Sequence, residues 1–285
     1  MPEESRVAGP ARRPGMAGTV RRLLRLILVV VLLVGASQGT TLAAPASWDY
    51  VALGDSLATG YGAFIKGYVP RYEAYVETDT GVAVTRTNLG QNKWTSSQLL
   101  SALRSDPTFR QATREAEFVT WNIGGNDLRA ARTSYKNGTC GGVDNQDCLR
   151  ASVATLKANW TAITAEVLEL RSTSDTIVRT MDIYNPYIRT DIVSDTWQND
   201  GGMNDFQVFK KYLDRVNRHI ATTSYTKGVP YAPVYLAFNG TFGEEDPRSK
   251  GYLSFDGLHP NNTGHGVIAG ELRMLGYAPL WDTLP

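Results

Sequence analysis

Five apolar runs of strand length, each separated from the next by a helical pattern, constrain this chain more than any other feature. They are Tyr50–Leu53, Val82–Leu89, Phe118–Ile123, Thr176–Tyr184 and Tyr231–Leu236, rich in the β-branched and aromatic residues that suit a pleated surface. Between them, Leu149, Val153, Leu156, Trp160, Ile163, Val167 and Leu170 step by fours and threes along one helical face. Phe206, Phe209, Leu213, Val216 and Ile220 do the same, and shorter helical patterns cover 96–103 and 267–275. Strands alternating with helices predict an α/β fold, a parallel sheet covered on both faces. Two stretches break the alternation: Leu128–Asp147 after the third strand and Tyr187–Asp205 after the fourth. Both read as long loops at the carboxyl ends of strands, where open parallel sheets bind ligands, and both are expected to wall a substrate pocket.

The first 44 residues stand outside this pattern. Arg12, Arg13, Arg21, Arg22 and Arg25 precede the apolar run Leu26–Val34, and Thr41-Leu42-Ala43-Ala44 supplies small residues for cleavage. A positive region, a short apolar core and a small-residue site make a secretory signal over residues 1–44, leaving a single domain over 45–285. The apolar core is shorter than the ~20 residues of a spanning helix. The mature protein is therefore expected outside the cell with no stable membrane anchor. Six of the 29 Lys and Arg and two of the 28 Asp and Glu precede residue 45, so the remainder has a net charge of −3. That balance argues against a nucleic-acid partner. The two cysteines, Cys140 and Cys148, fall in a Gly-rich stretch, and after an export signal such a pair reads as one local disulfide.

The first strand runs directly into Gly54-Asp55-Ser56-Leu57, which places Ser56 on a turn at the strand's carboxyl end. A serine hydroxyl is a weak nucleophile and needs an adjacent base. Three histidines are available. His219 lies late in the 206–220 helix and His265 opens the last helix, and both read as structural. His259 differs, because Asp256 precedes it by three residues in Asp256-Gly257-Leu258-His259-Pro260. In a turn, Asp256 can accept from Nδ1–H of His259 and leave Nε2 for Ser56, the division of labour in a catalytic triad. An oxyanion needs fixed donors. The candidates are the backbone N–H of Ser56, the amide of Asn126 after Gly124-Gly125, and the backbone N–H of Gly90. Asp55 reads as a carboxylate that bonds its own turn. No G-x-S-x-G elbow, H-E-x-x-H, C-x-x-C or P-loop occurs.

Gly54-Asp55-Ser56-Leu57, Gly90, Gly124-Gly125-Asn126-Asp127 and Asp256-Gly257-Leu258-His259-Pro260 together resemble the four sequence blocks of the SGNH (GDSL-type) hydrolases, in the family's order. The resemblance implies a three-layer α/β/α flavodoxin-like sandwich with a five-stranded parallel sheet. It also implies ester or thioester hydrolysis without metal or cofactor, with an oxyanion hole of Ser56, Gly90 and Asn126. The resulting expectation is a secreted, monomeric serine acyl-hydrolase for lipid or short-chain carboxylic esters. A carbohydrate O-acetyl esterase is the alternative substrate class, and a silent glycan- or lipid-binding module is the alternative of another kind. Trp94, Tyr135, Tyr187 and Trp197 are the aromatics that would stack on a sugar or pack along an acyl chain.

Overall fold

The computed structural model describes residues 47–283, together with Gly9. Apart from that glycine, the expected signal segment lies outside the described residues. Five strands form the sheet: β1 (Ser47–Gly54), β2 (Ala83–Asn88), β3 (Phe118–Asn122), β4 (Ile177–Met181) and β5 (Tyr231–Ala232). All pair in parallel, in the order β2-β1-β3-β4-β5. This is the flavodoxin order, and its reversal point lies between β1 and β3, where a ligand crevice opens beyond the strand ends.

Ten α-helices among the described residues complete the alternation: α1 (Ser56–Thr59), α2 (Tyr68–Thr80), α3 (Ser96–Ser105), α4 (Pro107–Glu115), α5 (Gly125–Lys136), α6 (Asp147–Leu170), α7 (Ile188–Asp191), α8 (Asp205–Lys227), α9 (Val234–Asn239) and α10 (Asn262–Met274). Side chains alternate across β1, so Val51 and Leu53 face one layer while Tyr50 and Ala52 face the other. On the first face they meet Leu99 and Leu103 of α3, Leu156 and Trp160 of α6, and Leu213 of α8. On the second they meet Tyr72 and Val76 of α2, Phe238 of α9 and Ile268 of α10. Each buried Val, Leu, Ile or Phe among them contributes roughly 1.5–3 kcal/mol. The result is the expected three-layer sandwich, and no helix among the described residues is long and apolar enough to cross a membrane.

Two expectations need correction. The fifth run is strand only over Tyr231–Ala232, because Pro233 has no N–H for the ladder and instead leads into α9. The stretch after β3 is not a loop throughout. It begins as α5, whose Leu128, Ala131 and Tyr135 are buried at helical spacing, and only 137–146 is irregular. There Cys140 and Cys148 form the expected disulfide. The stretch after β4 does stay mostly irregular, interrupted by the single turn of α7.

Candidate active site

Ser56 opens α1 immediately beyond β1. Gly54 makes that turn possible: its φ is 140°, and a Cβ there would overlap the Asn122 carbonyl of the neighbouring strand. Asp55 caps α1, accepting from Leu57 N–H at 3.0 Å, and Asn122 Nδ2 donates to the same oxygen at 2.7 Å. Tyr68 OH in turn donates to Asn122 Oδ1 at 2.9 Å. Burial raises the Asp55 carboxyl from 3.8 to about 6, against the lowering effect of these two donors. The Asp55 carboxylate is therefore engaged by its own turn and by Asn122.

Ser56 Oγ lies 2.9 Å from His259 Nε2, although 203 residues separate them in sequence. His259 Nδ1 lies 2.6 Å from Asp256 Oδ2. The other carboxylate oxygen of Asp256 accepts from Ser254 Oγ at 2.7 Å, Leu258 N–H at 2.9 Å and His259 N–H at 3.0 Å. Partial burial alone would raise this carboxyl, but the bond from His259 and the three other donors hold it well below the usual carboxylate range. Asp256 is thus an acceptor, which places the imidazole proton on Nδ1 and leaves Nε2 to accept from Ser56. The loop that presents His259 is pinned at two points. Ser254 N–H bonds the His259 carbonyl at 2.8 Å, and Tyr184 OH donates to the Leu258 carbonyl at 2.6 Å.

Asn126 enters from α5. Its Nδ2 donates to the Trp94 carbonyl at 2.9 Å, which fixes the amide and leaves a second N–H for the cleft it lines with Ser56 and His259. The Ser56 N–H, at the first position of α1, has no acceptor among the described residues. Gly90 is placed differently. Its N–H donates to Asn88 Oδ1 at 3.0 Å, and it is not among the residues lining the cleft. Glycine is required there by packing, since a Cβ would come within 2.6 Å of Ala58 Cβ. The open N–H groups on this loop belong instead to Asn92 and Lys93, the central residues of the Gln91–Trp94 turn, and both line the cleft. Lys93 has φ 68°, as the third residue of a type II turn requires.

The other two histidines are structural. His265 is buried, accepts from Tyr68 N–H at 3.1 Å and contacts the Tyr61 carbonyl at 3.1 Å, and burial lowers it to about 4. His219 Nε2 meets Thr161 Oγ1 at 2.9 Å on the far side of α8, away from the cleft.

The cleft has two parts that meet at Ser56. A narrow cavity of about 60 Å³ runs beneath the serine and is lined by Leu57, Ile123, Leu128, Ile183 and Phe209. A wider cleft of about 650 Å³ opens outward and is lined by Tyr61, Lys93, Arg129, Tyr187 and Arg248. Of the four aromatics expected at the substrate, only Tyr187 lines either part. Trp94 stacks on Phe109 at 5.5 Å, Tyr135 is buried and donates to Asp200 at 3.1 Å, and Trp197 packs against the core. Residues overlooked in the sequence include Asn122, which holds Asp55, and Tyr61, whose ring lies 4.5 Å from the His259 ring. The polar Asn122 within an apolar strand end, two residues before Gly124, was the available signal.

Comparison with known proteins agrees with this geometry. The pattern of the GDSL-like lipase/acylhydrolase family matches residues 52–267. The spore germination lipase LipC of Bacillus licheniformis is 27% identical over 236 residues, covering 81% of this chain and 98% of that protein. Among solved structures, the lipase Lip_vut3 from a goat rumen metagenome superposes with a TM-score of 0.66 at 24% identity, covering 82% of this chain and 99% of that one. Axe2, an acetylxylan esterase from Geobacillus stearothermophilus, gives 0.56 at 15% identity over 81% and 95%. The structural likenesses establish the fold, and the family pattern spans every residue that converges on Ser56. This chain belongs to the GDSL-like lipase/acylhydrolase family and is a carboxylic ester hydrolase.

Proposed function

We propose that the protein is a secreted serine acyl-hydrolase acting on lipid or short-chain carboxylic esters through an acyl-enzyme on Ser56. The observation that carries this reading is the unbroken relay from Ser56 Oγ through His259 to Asp256, at 2.9 and 2.6 Å. His259 Nε2 takes the hydroxyl proton as Oγ attacks the ester carbonyl, and Asp256 stabilises the imidazolium that forms. The tetrahedral oxyanion is held by the Ser56 N–H and the free N–H of Asn126. A third donor comes from the Asn92–Lys93 turn in place of Gly90, whose N–H is already engaged. His259 then protonates the departing alcohol, and water attacks the acyl-enzyme by the same route in reverse.

The apolar wall of the narrow cavity suits an acyl chain better than a sugar, and the expected stacking tryptophans lie away from it. Export is supported by the N-terminal charge and apolar pattern, and by a disulfide that an oxidising compartment would maintain. The mature chain, residues 45–285, contains the complete sheet and both halves of the core. Ser56→Ala is expected to abolish hydrolysis of p-nitrophenyl esters and covalent labelling by a fluorophosphonate probe. Retention of more than a few per cent of activity would overturn the mechanism. Turnover across C2 to C16 esters and acetylated xylan tests the substrate class. A sharp optimum at C2 with xylan deacetylation would replace the lipid reading with the carbohydrate one.

A further inference from the structure

Three large apolar side chains stand almost fully in solvent beside the catalytic mouth: Phe64 at 98%, Phe255 at 101% and Ile65 at 75% exposure. Scattered exposed apolar residues are ordinary, but clustered ones mark an interaction surface. Phe64 and Phe255 line one shallow depression together with Tyr61 and Leu253. Tyr61 also lines the outer cleft and packs on His259, so the apolar patch is continuous with the entrance to the site.

The charge on the same rim is one-sided. Lys93, Arg129 and Arg248 enter from three separate segments, and their side chains have no ion pair or hydrogen bond among the described residues. Elsewhere in the cleft Arg132 and Lys136 are neutralised by the buried Asp191 and Asp205, and the carboxylate of Asp256 is occupied by His259. Lys66 adds a further exposed cation directly after Phe64-Ile65. Apolar side chains beside unpaired cations are what a protein presents to an anionic membrane interface, the former entering the acyl boundary and the latter meeting headgroups.

We propose that this rim docks on an anionic lipid surface, with Phe64, Ile65 and Phe255 inserted and Lys93, Arg129 and Arg248 against the headgroups. The occupant is a lipid phase because the two phenyl rings lie outside the cleft, beyond a single small molecule bound at Ser56. The proposal rests on the lipid-ester reading above and orients the open site toward its substrate.

The test uses residues 45–285 carrying Ser56→Ala, so that neither hydrolysis nor the apolar run 26–34 contributes. Co-sedimentation is measured with vesicles of phosphatidylglycerol, of phosphatidylcholine, and of their mixture. Binding is expected to be strongest on phosphatidylglycerol and to weaken with salt. Phe64→Ser with Phe255→Ser should lower the partition coefficient at least about tenfold on every vesicle, the loss of two inserted rings. Arg248→Gln with Lys93→Gln should lower it only on vesicles that contain phosphatidylglycerol. Phe64→Ser in the active protein should leave turnover of a soluble short-chain ester unchanged, which also reports folding. Absence of vesicle binding, or binding indifferent to the double Phe variant, would overturn the proposal. So would a dimer in solution that the double Phe variant dissolves, since the patch would then be a self-association surface. Vesicle binding by a protein that hydrolyses no ester would instead overturn the catalytic reading and leave docking intact.

Discussion

Replacing Asp256 with asparagine separates the orienting role of the carboxylate from its structural one. Three donors converge on Asp256 Oδ1, the Ser254 hydroxyl and the N–H groups of Leu258 and His259, so an asparagine must place its own oxygen there. Its NH₂ group then faces His259 Nδ1 across the 2.6 Å contact that the carboxylate now makes. Two N–H groups cannot share that contact, so the imidazole must carry its proton on Nε2. In that tautomer Nε2 cannot accept from Ser56. Loss of the correct tautomer in a triad lowers kcat about 10⁴-fold, which is roughly 5.5 kcal/mol of transition-state stabilisation. The loop itself should persist, because all three donors to Oδ1 keep their acceptor. Asp256→Ala, by contrast, strands them at a cost of about 1–3 kcal/mol for each that remains buried. The assay is kcat/KM on a p-nitrophenyl ester for wild type, Asp256→Asn and Asp256→Ala, with a thermal melt of each. Asp256→Asn is expected to melt near wild type while losing about four decades of activity, and its fluorophosphonate labelling rate should fall by a similar factor. Activity within tenfold of wild type, in a variant that melts normally, would refute the assignment of Asp256.

Asn126→Ala removes one proposed oxyanion donor and the bond to the Trp94 carbonyl. It is expected to lower kcat about 10²–10³-fold with little change in KM, and a loss under fivefold would remove Asn126 from the oxyanion hole. Asp55 titrates in the opposite sense to Asp256. Its folded-state value, about 6, lies above the ordinary 3.8, so the folded protein retains a proton that the unfolded chain releases between those values. Stability from this group therefore falls as pH rises from about 4 to 6, by roughly 3 kcal/mol in all. Asp55→Asn keeps an acceptor for Leu57 and Asn122 but cannot ionise. Its melting temperature relative to wild type should rise across that window and level off above it. A difference that does not change between pH 4 and pH 8 would refute the burial argument.

The balance of burial against donors explains why these two carboxylates behave so differently, and the sequence hinted at each. Asp55 sits between an apolar strand and a helix, so desolvation governs it. Asp256 lies in a Gly-containing loop whose backbone N–H groups are free to turn toward it. The alternation of apolar runs was legible because both faces of a parallel sheet must be covered, and that requirement writes itself into local composition. The convergence of Ser56, His259 and Asp256, with Asn126 lining the same cleft, was legible as an expectation because each sits in a short motif with its own local geometry. What escaped reading was set by contacts distant in sequence. The close approach of Gly90 to Ala58 is one such contact, and no local pattern distinguishes it from a need for the glycine N–H. Arg129 in α5, Lys93 after β2 and Arg248 before the His259 loop are unremarkable singly, since lone surface cations carry no signal. They share a rim only because parallel topology brings the carboxyl ends of β2 and β3 and the chain that follows β5 to one edge. The same edge gathers Phe64 and Phe255, 191 positions apart in the chain, into one depression. Chemistry at the bond to be cut was thus encoded in motifs, whereas recognition of what surrounds that bond was distributed over segments that only the fold assembles.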